Sequence, residues 1–342
     1  MSVSDLPARA SYLADTVLFP SAIATDLAGI IPTTSLDAIA AAGLYGLFGP
    51  ERFGGLAADP ASAGLVIEAL AGGCLTSAFI WAQHHVAVRL AAAAADETAQ
   101  RWAPGLCSGR VRAGVAFAHL RREGPSPISA EPEGDGWKVN GHASWMTGWG
   151  GIDVINVAAV HDDRIVWFLC DAVEGPTLRV SPLHVSAVNS SGTVGLYLTD
   201  HHVSPDRVLG VHRLDEWRAR DRANLRQNGS FSLGLARRCT KLLGPPGDAL
   251  EARINAARAD MDRYVLTEDI GAAATSRAAA SWLAVRASAA LIAFEAGRSM
   301  IMTSHAQRLG REAMFLLVQG QTAPIREAQL RLLDSCSEAE VL

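Results

Sequence analysis

The residues best suited to chemistry in this chain form a short run, Trp145, Met146 and Thr147, followed by Gly148, Gly150 and Gly151. An aromatic, an aliphatic and a threonine ahead of glycines describe a strand end whose backbone a flat ligand can approach closely. Upstream, Asn140-Gly141 reads as a hairpin turn. The same residues also suit a surface hairpin holding a core tryptophan, and spacing alone leaves both readings open. Other ionisable candidates are scattered. His119 could shuttle protons, although a hydrogen bond to backbone is the commoner role for such a residue. Glu312 stands four residues after Arg308, the spacing of a helical ion pair. Arg121 and Arg122 could meet a phosphate. His84 and His85 are adjacent, so on a helix their side chains diverge by about 100° and make no metal pair by themselves. The five cysteines show no CxxC spacing, which implies reduced thiols in a cytoplasm and neither a disulfide frame nor a zinc site.

These residues need elements to position them, and the periodicity changes twice along the chain. Residues 1–110 read as helical. Ser35 is expected to cap a helix that Gly43 stops, Ala61 to Ala71 and Leu75 to Leu90 carry apolar residues at helical spacing, and Asp96-Glu97 opens another helix. From Val111 to His119 the pattern alternates, as in a strand. Further strands are expected at Val154 to Val160, Arg164 to Cys170, Leu178 to Val180 and Thr193 to Thr199, with turn residues between them. From 214 the chain reads as helical again, near 214–243, 249–266, 268–297, 307–318 and 323–335. The expected organisation is α+β: an N-terminal helical domain (1–110), a central β domain (111–213) and a C-terminal helical bundle (214–342).

Composition narrows the class. The chain has 342 residues, 49% hydrophobic and 19% charged, so it is globular and long enough for two or three packed units. Its net charge of −5, with no basic run, argues against nucleic acid as a partner. The first residues lack the pattern of a secretory leader. The apolar stretch Ala279 to Phe294, interrupted by Arg286, reads as too short to span a bilayer, so no membrane partner is expected and the expected location is cytoplasmic.

Gly136-Trp-Lys-Val-Asn-Gly-His-Ala-Ser-Trp-Met-Thr147 resembles a segment of the acyl-CoA dehydrogenase family that ends Trp-Ile-Thr. Ala42 to Gly55 resembles that family's glycine-punctuated segment. Leu196 to Gly210 resembles the close of its middle domain. The resemblance runs from about Leu36 to Leu333 and implies the family fold: helices, a β-barrel-like domain, then a four-helix bundle. It implies FAD as cofactor, an acyl-CoA or acyl-carrier-protein thioester as substrate, Cα–Cβ desaturation as reaction, and a homo- or hetero-oligomer. By this resemblance Trp145, Met146 and Thr147, with Phe117, His119, Leu120 and Thr322, are the flavin contacts. Asn224 and Arg226 are the substrate contacts.

The chain departs from the family where the chemistry needs a carboxylate. The family's base, a glutamate near the C-terminus, aligns with Gln319 or Gly320, and neither can take a proton. The alternative base position, just before an arginine at the start of the first bundle helix, falls in Ala223-Asn-Leu-Arg226, again without a carboxylate. The flavin-contacting segment after Phe117-Ala-His119 becomes Leu120-Arg-Arg-Glu-Gly-Pro-Ser126, and the segment that in the family reaches a neighbouring subunit's FAD is absent, with Gly244-Pro-Pro-Gly247 near its place. Three readings are open: a degenerate chain that keeps the fold, a subunit of a mixed oligomer, or a flavin monooxygenase on the same fold.

Overall fold

The computed structural model describes residues 5–122, 124–223, 225–267 and 269–339. Six helices come first: α1 (Leu6–Leu13), α2 (Phe19–Ala28), α3 (Thr33–Ala41), α4 (Pro60–Gly73), α5 (Leu75–Ala93) and α6 (Asp96–Ser108). A widened turn at Ala14–Leu18 joins α1 to α2. Pro20 follows in the first turn of α2, where a missing N–H is tolerated. Ser35 does not cap α3. The chain turns helical directly after Pro32, and Ser35 is buried inside the helix.

Eight strands come next: β1 (Ala113–Ala116), β2 (Ile128–Glu133), β3 (Gly136–Met146), β4 (Val154–His161), β5 (Arg164–Asp171), β6 (Leu178–Pro182), β7 (Val194–Val203) and β8 (Val208–Arg213). They form one mixed sheet in the order β6-β7-β3-β2-β4-β5-β8, with β1 also on β4. β1 and β2 run parallel to β4, and the remaining pairs are antiparallel. The alternation expected over 111–119 covers only four strand residues, all buried. The chain then coils into a short 3₁₀ turn at Ala118–Arg121.

Asn140-Gly141 is not a hairpin turn. β3 runs straight through it, and the pairing with β7 shifts there as a bulge. Gly141 has φ +131°, and a Cβ on it would sit 1.9 Å from the Pro127 carbonyl oxygen. The glycine therefore serves a close backbone approach across the sheet. Asn140 pins the bulge by accepting from the Asp200 N–H at 2.8 Å and donating to the Asp200 carboxylate at 3.1 Å.

β4 shows how the sheet serves two cores. Ile155, Val157 and Ala159 face one core with Met146, Phe168 and Leu196. Val154 and Ala158 face a second core with Val88 of α5 and Leu106 of α6.

Six further helices complete the chain: α7 (Leu214–Ala223), α8 (Leu225–Leu243), α9 (Asp248–Thr267), α10 (Ile270–Glu295), α11 (His305–Val318) and α12 (Ala323–Ala339). α10 is central and packs on α8, α9, α11 and α12. The apolar run here is longer than the sequence reading allowed. Gly271–Met300 is long and apolar enough to cross a membrane by length and composition, because alanines and glycine extend it beyond the bulky residues. In this structure most of that run is α10, packed in the bundle, and Phe294 and Met300 near its end are exposed.

A third core joins the bundle to the N-terminal helices. It includes Leu70, Leu75 and Trp81 with Leu233, Leu291, Leu309 and Leu316. The α4–α8 crossing is especially close: a Cβ on Gly234 would lie 2.1 Å from the Glu68 carbonyl oxygen. Backbone therefore meets backbone at this crossing, as only a glycine permits.

Candidate functional site

The end of β3 presents Trp145 outward and the two residues after it inward. Trp145 is 52% exposed, Met146 is fully buried in the first sheet core, and Thr147 is buried with 8% of its surface left. The exposed indole gives a flat ligand an apolar face to pack on, while Met146 offers only its backbone. The glycines beyond Thr147 are filled by this protein's own side chains. A Cβ on Gly148 would meet Ile152 at 2.9 Å, and one on Gly151 would meet Ile31 at 2.4 Å. The smallness of Gly148 and Gly151 thus seats Ile31, between α2 and α3, and Ile152, just before β4, against the loop and does not leave it open to a ligand there.

Loop 148–149 is laced to the segment before β7. The Gly148 N–H donates to Ser191 O at 2.9 Å, and the Trp149 N–H to Gly192 O at 3.0 Å. The Thr147 hydroxyl oxygen lies 3.3 Å from that of Thr193, which lies 2.7 Å from that of Ser191. Sequence reasoning missed Thr193 and Ser191 as site residues. They come after Thr147 by more than forty positions, and only the β3–β7 pairing brings them back to it.

The segment 117–120 flanks the same strand end through β1. The Gly114 position abuts the Thr147 carbonyl oxygen, 2.8 Å from where a Cβ would stand. Phe117 packs edge-on against Trp217 and tilted against Trp167, and Leu120 lies in the second sheet core. His119 turns inward, with Nε2 2.9 Å from the Ala158 carbonyl oxygen. Burial pushes its pKa down to about 4, so it is neutral near pH 7 and is no proton shuttle there. Arg121 is engaged by Asp221 through two hydrogen bonds of 2.6 and 2.8 Å.

The bundle carries the other half. Gln319 and Gly320 form the turn after α11. Gln319 Nε2 donates to Asn228 Oδ1 at 3.2 Å, and Asn228 also lies against Gly320. Arg277, fully buried on α10, donates to the Leu316 and Gln319 carbonyl oxygens at 3.0 and 3.2 Å. A guanidinium on the last carbonyls of α11 satisfies groups that a helix end leaves unpaired. Burial lowers the Arg277 pKa to about 10. Thr322 lies in the turn just before α12, where its carbonyl oxygen accepts from the Arg326 N–H.

The two residues assigned to substrate fare differently. Asn224 lies outside the described residues. Arg226 is buried and its charge is already matched: Nε donates to Asp262 at 2.6 Å, and Nη2 lies 3.5 Å from Glu68. Arg258 holds the same Glu68 at 2.7 Å. A guanidinium shared between two carboxylates packs helices together, and Arg226 is not presented to a ligand. Glu312 pairs with Arg308 at 2.7 Å inside the bundle, as the spacing predicts, and burial raises its carboxyl.

α5 links the two halves. Its Ile80 lies against Gly148, and its neighbouring Phe79 packs edge-on against Phe231 of α8 and Phe315 of α11 at 6.3 and 5.1 Å. Gln319 comes four residues after Phe315, and Asn228 three before Phe231. An aromatic cluster therefore joins α5, α8 and α11, about one helical turn along the chain from Asn228 and Gln319. Sequence reading missed this cluster, since each phenylalanine looks like an ordinary core residue on its own helix.

Residues 5–110 match the N-terminal domain of acyl-CoA dehydrogenases. The 3-sulfinopropanoyl-CoA desulfinase of Variovorax paradoxus is 28% identical over 225 residues, covering 60% of this chain and 55% of that protein. The chain thus spans about half the length of this curated relative. Two solved structures share the whole fold at 18% identity. Butyryl-CoA dehydrogenase from Megasphaera elsdenii superposes with a TM-score of 0.80 over 98% of both chains. A dibenzothiophene monooxygenase from a Paenibacillus strain superposes with a TM-score of 0.77 over 97% of both.

Proposed function

The chain belongs to the acyl-CoA dehydrogenase family, and on that premise we propose that it is a flavin-linked oxidoreductase acting on acyl thioesters, without a catalytic base of its own. The observation that carries this is the amide pair Gln319–Asn228 at the turn where the family carries its carboxylate. The half-exposed Trp145 indole and the Thr147 hydroxyl beside it fit one face and one edge of a flavin ring. FAD is the form proposed, with the backbone of 117–120 along its other side. Bound there, a flavin supplies a two-electron acceptor.

This chain's residues would do the rest. Phe79, Phe231 and Phe315 exclude water along one wall. Arg277 fixes the 319–320 turn by its carbonyls. Gln319 and Asn228 can hydrogen-bond a substrate and cannot take its Cα proton. Proton removal therefore comes from a group outside this chain, in a mixed oligomer, or the substrate loses another group from that carbon. The division at residues 110 and 213 belongs to this reading, with the ligand lying between the second and third units.

The test is to load the protein with FAD, add acyl-CoA thioesters and follow loss of the flavin absorption, with Gln319→Glu beside the natural chain. Little or no bleaching by the natural chain alone, and bleaching by Gln319→Glu, is the expected result. No bleaching by either, with FAD bound, would contradict a thioester substrate. A second reading, a flavin monooxygenase, has one specific support: the turn is uncharged, and oxygen activation calls for no carboxylate there. Substrate-dependent oxygen uptake by the FAD- or FMN-loaded protein with a flavin reductase would favour it.

A further inference from the structure

We infer that Ser191 and Thr193 are positioning residues that fix the Thr147 hydroxyl as a hydrogen-bond donor aimed out of the protein, toward the edge of a bound flavin; this rests on the flavin reading above. The three hydroxyls form a chain, Ser191–Thr193–Thr147, with links of 2.7 and 3.3 Å. Each hydroxyl has one proton to give and two lone pairs to accept with, so the protons can run along the chain in either direction or both end hydroxyls can donate to Thr193.

Burial narrows the choice. Ser191 is completely buried, whereas Thr193 and Thr147 each keep 8% of their surface. Were the protons to run inward, Ser191 would be left with a buried O–H and no acceptor for it among the described residues. An unmet buried donor is costly, whereas an unmet acceptor lone pair is not comparably so. Ser191 therefore donates to Thr193, and a ligand acceptor at Thr147 selects the outward run, in which Thr193 donates to Thr147 and Thr147 to the ligand, because that arrangement meets all three protons. The outer link is the long one, which leaves Thr147 able to turn toward a ligand. The backbone bonds from Gly148 to Ser191 and from Trp149 to Gly192 hold the two segments in register, so the chain is assembled before any ligand arrives. A donor supported in this way selects a ligand edge that carries a hydrogen-bond acceptor.

The experiment is FAD titration of the full chain, monitored by flavin fluorescence and by the position of the long-wavelength absorption band. The natural chain is compared with Thr193→Val, Thr193→Ser, Ser191→Ala and Thr147→Val. Thr193→Val is near-isosteric and leaves the packing in place, which thermal melting would check. The inference predicts that Thr193→Val weakens FAD binding roughly 3- to 10-fold, the usual scale for one lost hydrogen bond. It also predicts a shift of the absorption band, as in Thr147→Val, and restoration by Thr193→Ser. Combined with Thr147→Val, Thr193→Val should add nothing, because both break one chain. Natural affinity and spectrum in Thr193→Val, alongside a weakened Thr147→Val, would overturn the positioning role and leave the flavin reading standing. Absence of FAD binding by the natural chain would overturn both.

Discussion

Arg226 sits between Asp262 and Glu68, and the effect of removing it separates a packing cation from a ligand-binding one. Arg226→Met leaves the buried Glu68 with Arg258 alone, and breaking such a buried pair typically costs about 3 kcal/mol. Thermal melting should show that loss while flavin uptake at low temperature is kept. Unchanged melting with altered ligand binding would return Arg226 to the substrate side. At the base position the two candidates are also unequal. Gly320 has φ +61°, and a Cβ there would lie 2.9 Å from Asn228, so Gly320→Glu strains the turn. Gln319 has no such constraint, which makes it the place to install a carboxylate. We expect Gly320→Glu to lower the melting temperature and Gln319→Glu to leave it nearly unchanged.

The elements are spliced by side chains that titrate. His84 on α5 accepts the Ala113 N–H on Nδ1 and donates from Nε2 to the Leu106 carbonyl oxygen, both at 3.0 Å, so it ties α5 to α6 and β1 as a neutral ring. Burial lowers its pKa to about 4, and it lowers those of His119 and His305 to about 4 as well. Each folded pKa lies below the ordinary value of 6.5, so the unfolded chain takes up the protons first. Their contribution is complete above pH 6.5 and is lost as pH falls toward 4. For His84 alone this amounts to about 2 kcal/mol by pH 5. Urea midpoints at pH 7.5 and pH 5 would check it, and a midpoint independent of pH would contradict the splice. At the helix crossing, Gly234→Ala would push a methyl into the Glu68 carbonyl oxygen. We expect a loss of about 2 kcal/mol or more, with α4 and α8 forced apart.

At the scale of the whole molecule, Arg311 of α11 binds both oxygens of Asp26 on α2 and the Ser186 carbonyl oxygen ahead of β7. One side chain thus clamps the bundle, the N-terminal helices and the sheet. Arg311→Ala should cost about 2 kcal/mol, less than a fully buried pair because the guanidinium is partly exposed. Calorimetry should also show broadened unfolding as the three parts uncouple, and a sharp, unshifted transition would count against the clamp.

This scale also marks how far sequence reaches. β4 and β5 were legible to within about a residue because continuous apolar runs between turn residues have few other uses. The Arg308–Glu312 pair was legible because helical spacing alone fixes it. β1 was overextended, since Phe117 and His119 continue the alternation on paper while the His119 ring folds back to Ala158. Asn140-Gly141 misled because a bulge and a hairpin turn ask for the same residues. The outer half of the site, Trp145 to Thr147, was marked by its composition. The inner half, Thr193, Ser191, Phe79 and Asn228, consists of common residues that mean nothing until β3–β7 pairing and the α5–α8–α11 contacts bring them together.

The central claim is that the end of β3 and the bundle turn together seat a flavin. The measurement that tests it most directly is the visible spectrum of the purified full chain, before and after FAD is added and the excess removed. The account predicts a retained flavin band near one FAD per chain, weakened by a bulky residue at Thr147 such as Thr147→Leu. A colourless protein that retains no FAD would contradict it.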